Sequence, residues 1–160
     1  MSETFCLLMR RDLGGELPAA LWPAGIHLSE YRPAVADVVH HLLCVGYQDG
    51  SGQVPALDTW RARFETDAEY APSLCLIAAD AQGIVGVAQG WTSAYLKDLV
   101  VHPRAQGQGL GRALLLHSFK MFQQRRERCM DLKVLEDNHR ARRLYESAGM
   151  RVVCREPVPT

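Results

Sequence analysis

The 160-residue chain carries no net charge, because eighteen Lys and Arg are offset by eighteen Asp and Glu. The field that draws basic proteins onto polyanions or acidic bilayers is missing, which argues against nucleic-acid binding and polybasic membrane attachment. No apolar run approaches the roughly 18–20 residues needed to cross a bilayer. Met1-Ser2-Glu3-Thr4 lacks the basic start of a secretion signal, and the chain reads as cytoplasmic. Cys6, Cys44, Cys75, Cys129 and Cys154 are odd in number and scattered, with no C-x-x-C pair and no histidine at ligand spacing. Neither a disulfide framework nor a metal site is expected, and the thiols read as reduced and structural. Linkers, repeats and low-complexity stretches are absent as well. With 48% hydrophobic residues, the chain reads as one folded domain.

The zero sum conceals a division. Residues 1–103 hold six basic and twelve acidic side chains, whereas residues 104–143 hold ten basic and four acidic ones. A positive block around a glycine-rich turn suits a phosphate-bearing ligand, and the acidic first part suits a cation. Two solvated helix faces would give the same count.

Apolar patterning predicts an α/β chain. Phe5–Met9 is a short apolar run, an extra edge strand or a loose arm, so residues 1–25 are set apart from a domain over 26–160. Ile26–Tyr31 alternates like a half-buried strand. Pro33 suits the first turn of a helix bearing Val35, Val38, Val39, Leu42 and Leu43. Asp49-Gly50-Ser51-Gly52 is a loop, and Asp58 is a candidate N-cap for a helix through Trp60 and Phe64. Leu74–Ala79 and Ile84–Trp91, joined across Asp80–Gly83, form a hairpin. Tyr95–His102 is a strand stopped by Pro103, and a long helix runs from Leu110 to about Arg126. Asp131–Leu135 is a strand, Asp137-Asn138 caps a helix through Ala148, Gly149 ends it, and Arg151–Cys154 is the last strand.

The most informative stretch is Gln106-Gly107-Gln108-Gly109-Leu110-Gly111-Arg112, between a strand and a helix. Glycines there let a ligand approach the backbone, and the free N–H groups of a first helical turn bind anions. The spacing fits neither G-x-G-x-x-G nor G-x-x-x-x-G-K-[ST].

It fits Gln-x-x-Gly-x-Gly, at Gln106, Gly109 and Gly111, behind Leu99-Val100-Val101. This resembles the acetyl-CoA motif of the GNAT superfamily of N-acetyltransferases. Downstream, Leu132-Lys133-Val134, Asn138, Ala141, Leu144-Tyr145 and Ala148-Gly149-Met150 resemble its second signature. The resemblance is specific over residues 74–153 and implies a single domain with a mixed central sheet, flanked by helices and splayed where acetyl-CoA binds. It further implies that the cofactor arm pairs with Leu99, Val100 and Val101. Its pyrophosphate would lie on the N–H groups of Gln106, Gly107, Gln108, Gly109, Leu110, Gly111 and Arg112, with Arg104, Arg112 and Arg142 as candidate outer phosphate contacts. Asn138 holds the arm or caps its helix.

The implied activity is acetyl transfer to a primary amine of a cationic small molecule or peptide, by direct attack and without a metal. Tyr145 matches the residue that protonates the departing thiolate, or else it packs in the core. Tyr95–Val101 is similar to the corresponding strand of diamine and polyamine acetyltransferases, in which a Glu-Asp pair stands where this chain has Lys97-Asp98. Asp98 is the candidate base, or a structural partner for an arginine. Strand alternation puts it on the face of Leu96 and Val100. Tyr47, Asp49, Glu65, Asp67 and Glu69 are further substrate-side candidates, and His40, His41 and His102 are candidate relays. A non-catalytic acyl-CoA-binding module is the competing reading. With only about ten residues after Gly149, the sheet is short at that edge, to be covered by Phe5–Met9 or by a partner in a homodimer.

Overall fold

The computed structural model describes residues 3–48, 50 and 52–158. Its strands are β1 (Phe5–Asp12), β2 (His27–Glu30), β3 (Cys75–Asp80), β4 (Gly83–Trp91), β5 (Tyr95–Val101), β6 (Cys129–Leu135) and β7 (Arg151–Pro157). Its helices are α1 (Ala36–Gly46), α2 (Leu57–Thr66), α3 (Leu110–Gln124) and α4 (His139–Ser147). The strands form one mixed sheet in the order β2-β3-β4-β5-β6-β1-β7. All neighbours are antiparallel except β5 and β6. A parallel pair cannot be joined by a tight turn, and α3 supplies the crossover.

Helices cover the sheet on both faces. Val39, Leu42 and Leu43 of α1 and Trp60 and Phe64 of α2 pack with Cys75, Ile77, Val87 and Val100 on one face. Leu110, Leu114, Phe119 and Phe122 of α3 pack with Leu76, Ala78, Leu96, Met130 and Leu132 on the other, where Leu144 and Tyr145 of α4 join them. Two local expectations change. Val38 lies off the buried stripe of α1 at 43% exposure. Asp58 falls inside the first turn of α2, whose N-cap is Ala56 with no side-chain cap bond.

The larger correction concerns the first strand. β1 is not an edge strand or a loose arm, because it runs through the sheet interior, pairing with β6 from Cys6↔Leu135 to Asp12↔Cys129 and with β7 from Phe5↔Pro157 to Arg10↔Arg151. It does not cover the last edge: it lies between β6 and the tail, which forms the seven-residue strand β7 beyond it. Met9 at its centre is fully buried, and Arg10 makes a two-pronged bond to Asp131 on β6, at 2.7 and 2.9 Å. Residues 13–26 then return along α3, tied by Gln123 Nε2 donating to the Leu13 and Gly15 carbonyls at 2.7 Å and by Trp22 against His117. β7 and β2 are the two edges of the sheet, and both are exposed.

Truncating Met9 removes buried volume where β1, β6 and β7 meet. Met9→Ala is expected to lower the unfolding free energy by about 2–5 kcal/mol, while Val153→Ala on the exposed edge stays within about 0.5 kcal/mol. Urea unfolding of both variants checks this.

Candidate functional site

β5 and β6 touch at one register position, Tyr95↔Asp131, where the Asp131 N–H donates to the Ala94 carbonyl at 3.0 Å. Beyond it they diverge, and a cleft of about 930 Å³ opens between them, reaching from the glycine-rich turn to the ends of α1 and α2. Leu99, Val100, Val101, Gln106, Gly107, Gly109, Leu110, Gly111, Arg112, Asn138, Tyr145 and Asp98 all line it. Gln108 does not: it lines a separate hollow with Asp80 and Arg104.

The turn is built by backbone that only glycine adopts readily. Gly107 (φ 79°) and Gly109 (φ 86°) are left-handed, and Gly109 is the N-cap of α3. Helix bonding begins with Ala113 N–H to the Gly109 carbonyl at 3.0 Å. Among the described residues, the N–H groups from Gly107 to Arg112 therefore have no protein partner. Gln106 braces the turn, its Nε2 donating to the Val101 carbonyl at 3.2 Å while its Oε1 accepts from Arg140 Nη1 at 3.3 Å. The row of free donors on a helix N-terminus is suited to an anion.

Two of the three candidate phosphate arginines are engaged elsewhere. Arg104 grips Asp80 at 2.6 and 2.9 Å, away from the main cleft, and holds that carboxyl down at about 2. Arg142 donates to the Glu136 carbonyl at 2.9 Å and also pairs with Glu146. Arg112, joined to Ser147 Oγ at 2.9 Å, stays at the cleft wall. Arg140 lines the cleft too and was missed as a site residue. Its only signal was its place in the positive block. Asn138 does cap α4, accepting from the Ala141 N–H at 3.2 Å, and lines the cleft from that position.

At the other end stand a carboxylate and three phenols. Alternation fails there, because the β4–β5 register shifts between Gln89↔Asp98 and Gly90↔Leu96, leaving Lys97 unpaired as a bulge. Leu96 therefore packs in the α3 core, whereas Val100 packs in the α1 core, and Asp98 turns with Val100 toward α1. Asp98 is 7% exposed, and its partner is not an arginine but Tyr47, whose Oη donates to Oδ1 at 2.6 Å. Lys97 is exposed. Burial pushes the Tyr145 phenol up to about 12. Burial, with the Asp98 charge second, does the same to Tyr95.

Of the other substrate-side candidates, Tyr47 and Asp67 line the cleft. Glu65 is held by Arg61 and Tyr31, Glu69 accepts from the Ser93 N–H, and Asp49 lies outside the described residues. The candidate relays are placed elsewhere: His40 bonds the Pro55 carbonyl at 2.7 Å, and His102 accepts from the Arg104 N–H as a turn cap. Neither they nor His41 lines the cleft. Among the described residues, no three His, Cys, Asp or Glu side chains are arranged to hold a metal, and no helix is long and apolar enough to cross a membrane.

Splayed parallel strands with a glycine turn at their open end define an α/β fold with an anion-suited cleft, and comparison gives its family. The sequence model of the Acetyltransferase (GNAT) family matches residues 37–150, and the chain belongs to that family. No curated protein sequence matches it significantly. Among solved structures, it is similar to a GCN5-related N-acetyltransferase from Sphaerobacter thermophilus at a TM-score of 0.84 and 24% identity, over 98% of this chain and 51% of that one. It also resembles a tandem GNAT protein from the clavulanic acid biosynthesis pathway, at a TM-score of 0.66 and 19% identity over 100% and 55% of the two chains. A third is Ard1 from Thermoplasma volcanium, at a TM-score of 0.64 and 17% identity over 82% and 99%. The chain spans about half the length of the first of these.

The engagement of Arg104 gives a direct test. Because the folded Asp80 carboxyl titrates at about 2 and an unperturbed one at about 3.9, the pair stabilises the fold fully above that higher value and stops doing so as pH falls through about 2. Arg104→Gln is expected to bring the Asp80 midpoint, followed by carboxyl NMR, back toward about 3.9.

Proposed function

We propose that this chain is an N-acetyltransferase that moves an acetyl group from acetyl-CoA to a primary amine of a cationic small molecule or peptide, by direct attack. The observation that carries the reading is the meeting, in one cleft, of the free N–H row at Gly107–Arg112 with a buried carboxylate, Asp98, and a half-buried phenol, Tyr145. The N–H row takes the pyrophosphate of CoA, with Arg112 and Arg140 beside it. Backbone groups of Leu99 and Val101, which face away from β4 and are freed by the splay, pair with its arm.

The acceptor arrives as an ammonium, and Asp98 takes one proton so that the nitrogen lone pair is free to form the C–N bond. As the C–S bond breaks, Tyr145 gives a proton to sulfur, and the second nitrogen proton replaces it through solvent. One proton is released per turnover. A phenol near 12 is a weak acid for an ordinary thiolate of about 8.5. A thiolate leaving in the same buried setting is destabilised by the same desolvation, which brings the two closer. The preference for a cation rests on Asp98 and Asp67, since the other acids of residues 1–103 that are described stand outside the cleft.

Acetyl-CoA at 100 times its Kd is expected to add about 2.7 kcal/mol of stability, seen as a rise in Tm. Thiol release with an amine panel separates an enzyme from a binding module. Tyr145→Phe should lower kcat by about 10²–10⁴-fold while keeping the acetyl-CoA shift in Tm. Equal loss of both would make Tyr145 a packing residue.

A further inference from the structure

Tyr47 enters neither the glycine motif nor the second signature, yet its hydroxyl makes the one hydrogen bond that the Asp98 carboxylate accepts among the described residues. We propose that Tyr47 is a positioning residue for Asp98: it holds Oδ1 and leaves Oδ2 as the oxygen that receives the acceptor's ammonium proton. This rests on the reading of Asp98 as the proton acceptor.

The fold sets the contact from both sides. Tyr47 is the C-cap of α1, with its N–H bonded to the Leu43 carbonyl at 3.0 Å. The preceding Gly46 lies so close on the Val100 side chain that no Cβ fits between them, which keys the helix end to β5 two residues beyond Asp98. The Tyr47 ring rests against Gly52, where an added Cβ would meet Cδ1 at 2.9 Å. From the strand side, the bulge at Lys97 turns Asp98 toward α1. A helix end, a loop glycine and a bulge thus converge on a 2.6 Å bond.

That bond has two consequences. A carboxylate fixed by one donor loses rotational freedom, so the second oxygen presents a defined lone pair to the cleft. A donor to the charged form also favours ionisation and opposes the burial that disfavours it. The titratable groups facing Asp98 from the packed elements are Tyr47 on α1, Tyr95 on β5 and Cys75 on β3, with Gln89 opposite on β4 and Tyr145 near Tyr47. Burial pushes all four titratable groups up, so they are neutral near pH 7. Lys97, the adjacent cation on the same strand, is exposed. Tyr47 is therefore a fixed donor rather than a second base.

Tyr47→Phe removes the donor and keeps the ring. With acetyl-CoA and the best amine of the panel, the acid limb of kcat/KM should move up by about one pH unit and the plateau fall about 3–10-fold, with acetyl-CoA affinity unchanged. Gly52→Ala, which displaces the ring without touching the hydroxyl, should move the limb in the same direction by less. The Asp98 carboxyl midpoint, read by ¹³C NMR without turnover, should rise in both variants. A limb and midpoint unmoved in either folded variant overturn the role of Tyr47, even if Asp98→Asn abolishes turnover. Full turnover in Asp98→Asn would instead overturn the reading of Asp98 itself.

Discussion

The cleft depends on where β5 and β6 stop pairing. They meet at one register position, Tyr95↔Asp131, beside the bond from the Asp131 N–H to the Ala94 carbonyl at 3.0 Å. Each strand then follows its other neighbour, β5 along β4 and β6 along β1. Backbone groups that a continued ladder would consume are left facing the gap, where only a ligand or water can satisfy them. The pivot is fixed from the side by Arg10, whose two-pronged bond to Asp131 ties the first strand of the chain to the point of divergence.

Against that geometry, the charge pattern of the sequence divides into a useful half and a misleading one. The positive block over residues 104–143 does reach the cleft, through Arg112, Lys133 and Arg140. Arg104 and Arg142 belong to the same block, but a carboxylate and a carbonyl have already taken them. The acidic first part is more scattered still. Of its described carboxylates only Asp67 and Asp98 line the cleft, beside Arg63 and Lys97. A count along the chain cannot see this, because what decides the field in a cleft is which side chains share its low-dielectric walls.

Most elements were legible because their signals are local. Alternation, a proline at a helix start, Asn138 as a cap and Gly149 (φ 93°) as a stop are properties of a few adjacent residues. The glycine turn was legible for the same reason, since left-handed backbone at Gly107 and Gly109 requires that residue type. Two features were not. The place of β1 depends on partners some 120 residues away, and nothing within Phe5–Asp12 names them. The face of Asp98 was misjudged because strict alternation assumes an unbroken ladder, and one extra residue at Lys97 reverses every side chain beyond it.

The bulge also accounts for how a strand that reads Lys-Asp offers a carboxylate rather than an ammonium to the interior. In an unbroken strand Asp98 would share the face of Leu96, in the core beneath α3, and no phenol from α1 would reach it. With the extra residue placed at Lys97, the lysine is extruded to solvent and Asp98 moves to the side where Tyr47 waits. Burying a carboxylate without a donor costs several kcal/mol, so the bulge and the hydroxyl need one another. The bulge sets Asp98 in a buried seat, and the phenol makes that seat tenable for an ionised group. This coupling connects the α1 face of the sheet to the cleft on β5. It places the Asp98 carboxylate on the wall of the cleft that opens between the splayed strands.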